Sequence, residues 1–101
     1  MFVYDGTFEV PYAAAFDHAV KSRDLLEQHQ PEEALEAAQA AIAIAPDYML
    51  ALMALGDAQK ALQKNAEARI TFEKALAIAR SMEPTAQEVW IPRVQEKFVG
   101  L

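Results

Sequence analysis

The chain has 101 residues, 53 % of them hydrophobic, and nine Lys and Arg against fifteen Asp and Glu give it a formal net charge of −6. This is material for one domain with a modest core, and the negative field argues against nucleic acid as a partner because it repels phosphate. The absence of cysteine excludes disulfides, thiolate nucleophiles and cysteine-bound metals. No apolar run approaches the ~18 residues of a membrane-spanning helix, so we expect no membrane insertion by this segment.

The first residues of the chain favour extended structure. Residues 2–10 hold two short β-prone runs on either side of Asp5-Gly6, a dipeptide typical of a tight hairpin turn. An isolated hairpin is only marginally stable in water. We therefore expect residues 1–11 to form an extended arm or hairpin that packs on the rest of the chain.

Residues 12–46 predict a first antiparallel pair of helices. Pro11 suits the start of a helix that continues without a breaker to about His29. Pro31 begins a second helix in the same way, and Pro46 ends it because the proline ring clashes with the preceding turn.

Residues 47–81 predict a second pair of helices. Asp47 is expected to cap the first helix of this pair, whose sequence is nearly all apolar and which must therefore be largely covered. Asn65 is expected to cap the next helix, which ends near Ser81.

Residues 84–99 predict a fifth helix that caps the stack. Pro92 removes one backbone hydrogen bond, so we expect this helix to be kinked near that residue. Its apolar residues fall on one stripe and are expected to cover the core: Ala86, Val89, Trp90, Val94 and Phe98.

An internal repeat links the two helix pairs. Residues 33–45 align with residues 67–79 as two copies of one segment, keeping Glu, Ala, Ala, Ala, Ile and Ala in place. The preceding helices share no identity in that register. The repeat therefore depends on the second helix of each pair.

In this register the second unit resembles the tetratricopeptide repeat family, whose repeat is about 34 residues long and whose pattern is W-x2-L-G-x2-Y on the first helix and A-x3-F on the second. The matching or equivalent positions are Leu52, Leu55, Gly56, Gln59, Ala68, Phe72 and Ala75. The first unit is degenerate. It matches at Ala34, Ala38, Ala41 and Pro46, but its first helix has His18, Lys21, Ser22 and Leu25 at the conserved positions.

The resemblance implies an all-α fold in which antiparallel helix hairpins stack as a short right-handed superhelix, with the fifth helix as a cap and the arm at the N-terminus. It also implies a concave face formed by the first helix of each pair. The residues expected on that face are Phe16, Val20, Arg23, Leu50, Met53, Asp57 and Lys60.

In this family such a face binds a peptide or protein segment, which implies a non-catalytic interaction module. We do not expect the carboxylate clamp of one chaperone-binding subgroup. Its Lys and Asn sites hold Ala19, Arg23, Met53 and Asp57 in this chain.

Two alternatives stay open at the level of sequence. The arm or the fifth helix covers the concave face, leaving no groove. Alternatively, the segment is an accessory or dimerisation domain excised from a larger bacterial enzyme, including the membrane-associated glycosyltransferases that carry such repeats, and it forms homo-oligomers. A free-standing chain is expected to be soluble and cytoplasmic.

Catalytic, cofactor and metal sites are not expected. His18 and His29 lie about three helical turns, or ~16 Å, apart, too far to share a metal. The acidic residues at 32, 33 and 36 open a helix, where carboxylates complement the helix dipole. The three glycines are scattered, so no phosphate-binding loop is present.

Overall fold

The computed structural model describes the backbone of residues 6–99 and 101 and the side chains of residues 13–99 and 101. Over these residues the protein is all α-helical and contains no strand, which confirms the predicted fold class. The helices are α1 (Gly6–Glu27), α2 (Pro31–Ile44), α3 (Met49–Ala61), α4 (Asn65–Arg80) and α5 (Pro84–Lys97).

The first helix is longer than the sequence predicts. It begins at Gly6, so residues 6–11 are helical, and the extended arm predicted for them is wrong. Pro11 lies inside the helix, not at its start. Extending an existing helix adds one local hydrogen bond per residue, whereas an isolated hairpin has no third strand or covering layer to stabilise it. Residues 1–5 of the predicted arm lie outside the described residues.

The predicted capping side chains also differ from those observed. Tyr48 and Lys64 hold the N-cap positions of α3 and α4, and neither makes a side-chain cap hydrogen bond. Asp47 therefore lies one residue before the N-cap of α3, and Asn65 is the first residue of α4, one residue after its N-cap. The apolar packing of α3 and the neighbouring helices stabilises these helix starts without a capping side chain.

The turns after α1 and α3 share one backbone geometry. His29 (φ 62°) and Gln63 (φ 61°) both adopt the left-handed conformation. The residue after each donates its N–H to the carbonyl oxygen five positions earlier, at 2.9 Å in the first turn and 2.8 Å in the second. This is the Schellman arrangement at a helix C-terminus. The two turns are separated by the same interval as the two aligned segments, so the period seen in the sequence is also a period of the backbone.

The helices form a stack of antiparallel hairpins. Helix α1 packs on α2 and α3, α2 packs on α3, α3 packs on α4, and α4 packs on α5. Alanines fill the interfaces between the first three helices, and small side chains let helix backbones approach closely. The buried alanines of these interfaces are Ala15, Ala19, Ala38, Ala41, Ala45, Ala51 and Ala54.

The second half of the stack has a core of larger side chains. Phe72 on α4 and Val94 on α5 are both fully buried, and Leu52 on α3 is almost so. Phe98, at the end of α5, meets the Phe72 ring edge to face, with 6.1 Å between ring centroids. Each buried side chain of this size contributes about 1.5–3 kcal/mol, so α3, α4 and α5 share the main apolar core.

Buried polar groups within the stack are paired. The Thr71 hydroxyl donates to Oε1 of Gln59 at 2.7 Å, and this bond joins α4 to α3. The Ser22 hydroxyl donates to the carbonyl oxygen of Ala34 at 2.8 Å, joining α1 to α2. Over the described residues no buried side-chain nitrogen or oxygen lacks a hydrogen-bond partner. In each of these two hairpins, a buried hydroxyl therefore forms a hydrogen bond between the two helices.

Candidate functional site

A groove of about 280 Å³ opens between α1, α3 and α5. We call it the α1/α3/α5 groove. Its lining residues are Arg23, Leu50, Met53, Ala54, Asp57, Trp90, Arg93, Glu96 and Lys97. Side chains from three helices far apart in the sequence therefore converge on one surface.

The structure brings four of the seven predicted concave-face residues together in this groove: Arg23, Leu50, Met53 and Asp57. The other three do not line it. Phe16 is 46 % exposed, and Val20 is half-buried further along α1. Lys60 donates from Nζ to the carbonyl oxygen of Val99 at 2.9 Å. The last turn of α3 is thus bonded to the chain beyond α5 and does not face the groove.

Sequence reasoning missed the wall that α5 contributes. Trp90, Arg93 and Lys97 follow one another at helical spacing, and together with Glu96 they line the groove. That spacing was the available signal. The apolar stripe on the same helix predicts core packing instead. Within that stripe Val94 is buried as expected, but Val89 is 48 % exposed.

The apolar residues that line the groove also pack against the buried clusters of the stack. Leu50 packs on the alanine cluster between α1, α2 and α3. Met53 and Trp90 pack against the cluster around Phe72. Each of the three is partly buried, so each also presents surface to the groove. Helix α5 was one of the two segments expected to cover the concave face, and it forms a wall of the groove and leaves the groove open. The other is the N-terminal arm, and the side chains of residues 1–12 lie outside the described residues.

One ion pair joins the α5 wall to α3, and one cation–π contact lies within α5 itself. Lys97 Nζ lies 3.0 Å from Oδ2 of Asp57, and the two side chains are 34 % and 28 % exposed. Such an exposed pair is worth only about 0.2–1 kcal/mol. The guanidinium of Arg93 lies over the indole of Trp90, 5.6 Å from the ring centroid. The ion pair therefore sets the position of α5 against α3 more than it adds to stability.

A second groove of about 250 Å³ runs between α1 and α2 on another part of the surface. It brings His18 near Glu33 and Glu36, with Lys21 on the same side. No Ser, Thr or Cys side chain lines it. Over the described residues no cluster of three or more His, Asp or Glu side chains could hold a metal ion. The His18, Glu33 and Glu36 side chains of this groove therefore do not form a metal site.

Within the described part of the chain, no helix has the length and hydrophobicity to span a membrane. The chain matches no protein-family model, no curated protein and no solved structure.

Proposed function

We propose that this protein is a non-catalytic interaction module of tetratricopeptide-like architecture that binds a peptide or protein segment in the α1/α3/α5 groove. The observation that carries the proposal is the convergence of Arg23, Leu50, Met53 and Asp57 on one open surface. The resemblance to the tetratricopeptide family implies a concave face that includes these four residues, and they come from two helices. Their meeting beside Trp90 supports a binding face.

The repeated backbone geometry supports the tetratricopeptide-like part of the proposal. The interval between the two left-handed turns matches the length of this repeat. The second helices also bury equivalent positions, and each member of the pairs Ala34 and Ala68, Ala38 and Phe72, and Ala41 and Ala75 is fully buried. The right-handed sense of the stack is a part of this proposal.

The chemistry of the groove suits a polypeptide ligand. Its apolar lining residues, Leu50, Met53 and Trp90, are partly buried, whereas the charged lining residues Arg23, Arg93 and Glu96 are exposed. An apolar centre with a polar rim is the usual arrangement of protein interfaces, where aromatic residues and Met are enriched. The small volume fits a few side chains of a segment.

The proposal is tested with Met53→Glu and a matched control, Ile70→Glu. Ile70 lies on α4, is 66 % exposed and does not line the groove, so its substitution introduces the same charge elsewhere. Peptides are first selected on the wild-type protein from a displayed random library. We expect calorimetry to show that the selected peptides bind wild-type protein and Ile70→Glu equally, and that Met53→Glu weakens binding at least tenfold, or about 1.4 kcal/mol.

Circular dichroism accompanies this test. Met53→Glu should keep the helical signal of the wild type, because the side chain is only partly buried. If it binds the selected peptides normally, or if it unfolds the protein, the groove assignment is wrong.

Exposed apolar side chains favour a second candidate, an accessory or dimerisation domain of a larger enzyme. Phe16, Val89 and Val99 are 46 %, 48 % and 73 % exposed and are available to an interface with another surface. Light scattering over a concentration series separates the two functions. A concentration-independent monomer favours peptide capture, whereas a stable dimer that Phe16→Glu dissociates favours assembly.

A further inference from the structure

Charge is distributed unevenly between the groove and the rest of the protein. The whole chain carries fifteen acidic and nine basic residues. The groove is lined by the three cations Arg23, Arg93 and Lys97 and by only two carboxylates, those of Asp57 and Glu96. The acidic excess of the chain therefore lies outside the groove, and the groove itself has an excess of positive charge.

The internal ion pair accentuates this difference. Asp57 is engaged by Lys97 at 3.0 Å, so neither side chain is fully available to a ligand. Arg23 and Arg93 are both exposed, and neither has an ion-pair partner among the described residues. Glu96 is the one lining carboxylate outside the pair. The charge offered to a ligand is thus two guanidinium groups against one carboxylate.

These guanidinium groups belong to opposite walls. Arg23 comes from α1 and Arg93 from α5, while Leu50 and Met53 lie on α3 between those helices. Guanidinium groups bind carboxylates through paired hydrogen bonds and are more weakly hydrated than ammonium groups, which makes arginine well suited to binding acidic partners. Arg93 is further held over the indole of Trp90.

We propose that the α1/α3/α5 groove takes an acidic polypeptide segment, whose Asp or Glu side chains bind Arg23 and Arg93 while an apolar side chain contacts Leu50, Met53 and Trp90. This inference rests on the proposed peptide-binding function and specifies its partner. Basic segments are repelled at the two arginines and gain only Glu96 in exchange.

The test uses acetylated and amidated peptides, so that only side chains carry charge. In the acidic peptide Leu stands at every third position and Glu at the others, and in the two comparison peptides Gln or Lys replaces every Glu. Trp90 is the one tryptophan of the chain, so its fluorescence reports contact at the groove without a label. Calorimetry measures the affinities.

The Glu peptide should bind most tightly, the Gln peptide more weakly and the Lys peptide least. Arg23→Glu and Arg93→Glu should each weaken the Glu peptide about two- to fivefold, the range expected for exposed charge pairs. Arg69→Glu is the matched control, because Arg69 is exposed on α4 outside the groove and the change in net charge is the same. Raising the salt from about 0.1 M to about 1 M should reduce the preference for Glu over Gln.

Equal affinities for the Glu and Gln peptides, or equal losses in Arg69→Glu and the groove variants, would overturn the acidic preference. If Met53→Glu still abolishes binding of library-selected peptides in that case, peptide capture stands and only the partner class is wrong. If no Glu peptide binds while selected neutral peptides do, the acidic preference is likewise overturned. Library-selected peptides that bind Met53→Glu normally contradict the proposed function itself.

Discussion

Gly56 illustrates how one residue sets the distance between two helices. A Cβ added to Gly56 on α3 would overlap the ring of Phe72 on α4. In the first hairpin the equivalent positions of the repeat hold Ser22 and Ala38, and both are fully buried. The second hairpin thus has glycine against phenylalanine at these two positions, whereas the first hairpin has serine and alanine. The hairpins keep the same turns but fill their interiors differently.

We predict that Gly56→Ala destabilises the protein. Alanine favours a helix by about 0.8–1.0 kcal/mol over glycine, but overpacking a buried site costs about 1–3 kcal/mol. Phe72 is fully buried and cannot move aside freely. Because the added methyl group meets a buried ring, the overpacking cost is expected at the upper end, about 2–3 kcal/mol. The net loss in the free energy of unfolding is then about 1–2 kcal/mol, measured by urea denaturation.

Phe72→Leu provides the control for this prediction. Leucine lacks the ring atoms that the new methyl group would overlap, so Gly56→Ala should cost less in that background. The difference between the two costs is the coupling energy of the pair. A Gly56→Ala protein as stable as wild type would show that the α3 and α4 backbones separate easily.

At the scale of the element, α5 has two distinct sides. Val94 points into the shared core and is fully buried, whereas Val89, on the same helix, is 48 % exposed. Trp90, between them in sequence, contacts both the core and the groove. Helix α5 therefore closes the core and builds one wall of the α1/α3/α5 groove at the same time.

We predict that Val94→Ala and Val89→Ala differ in effect although the chemical change is the same. Val94→Ala should lower the free energy of unfolding by about 2 kcal/mol, from about 0.8 kcal/mol for each lost methyl group and the cavity left behind. Val89→Ala should change it by less than about 0.5 kcal/mol, as exposed substitutions do. Thermal denaturation of the two variants gives the comparison. Equal losses would mean that α5 does not pack as described.

The sequence was sufficient to predict five helices, the pairing into hairpins and part of the groove. Prolines and the helical period act over a few residues, and the helices after α1 begin and end within a residue or two of their predicted positions. The sequence did not predict the α5 wall. That wall depends on contacts between distant residues, such as Lys97 with Asp57 and Phe98 with Phe72, which no local period encodes.

The left-handed geometry of the turns after α1 and α3 was not predicted from the sequence for another reason. A Schellman turn usually has glycine at its left-handed position, because a side chain strains that conformation. Here His29 and Gln63 occupy it. Without glycine there was no local signal, and the shared geometry becomes visible only in the backbone.

For the whole molecule, the two ends of the stack differ from its centre. Helix α3 packs on α1, α2 and α4, whereas α5 packs mainly on α4. The α1 interfaces bury Ala15 and Ala19, and alanine removes less apolar surface from water than Phe72 or Leu52 do. Stability is therefore expected to be highest at α3 and α4 and to decrease toward both ends.

We predict that amide hydrogen exchange follows this order. In a stack whose repeat units contact mainly their neighbours, terminal elements open with less free energy than central ones. Amides of α3 and α4 should exchange at least about tenfold more slowly than those of α1 and α5, a difference of about 1.4 kcal/mol in opening free energy. Exchange measured by mass spectrometry on peptides from each helix tests this. Uniform protection across the five helices would contradict it and indicate a single cooperative unit.

The duplicated turn also sets a length scale for a ligand. Helices α1 and α3 pack against each other, and each is followed by the same left-handed turn. Packed helices lie about 8–10 Å apart, and an extended chain advances about 3.3 Å per residue. About three residues of an extended segment therefore span the distance between α1 and α3. If the proposed ligand binds as an extended segment across α1 and α3, side chains about three residues apart in it would meet equivalent positions of the two helices.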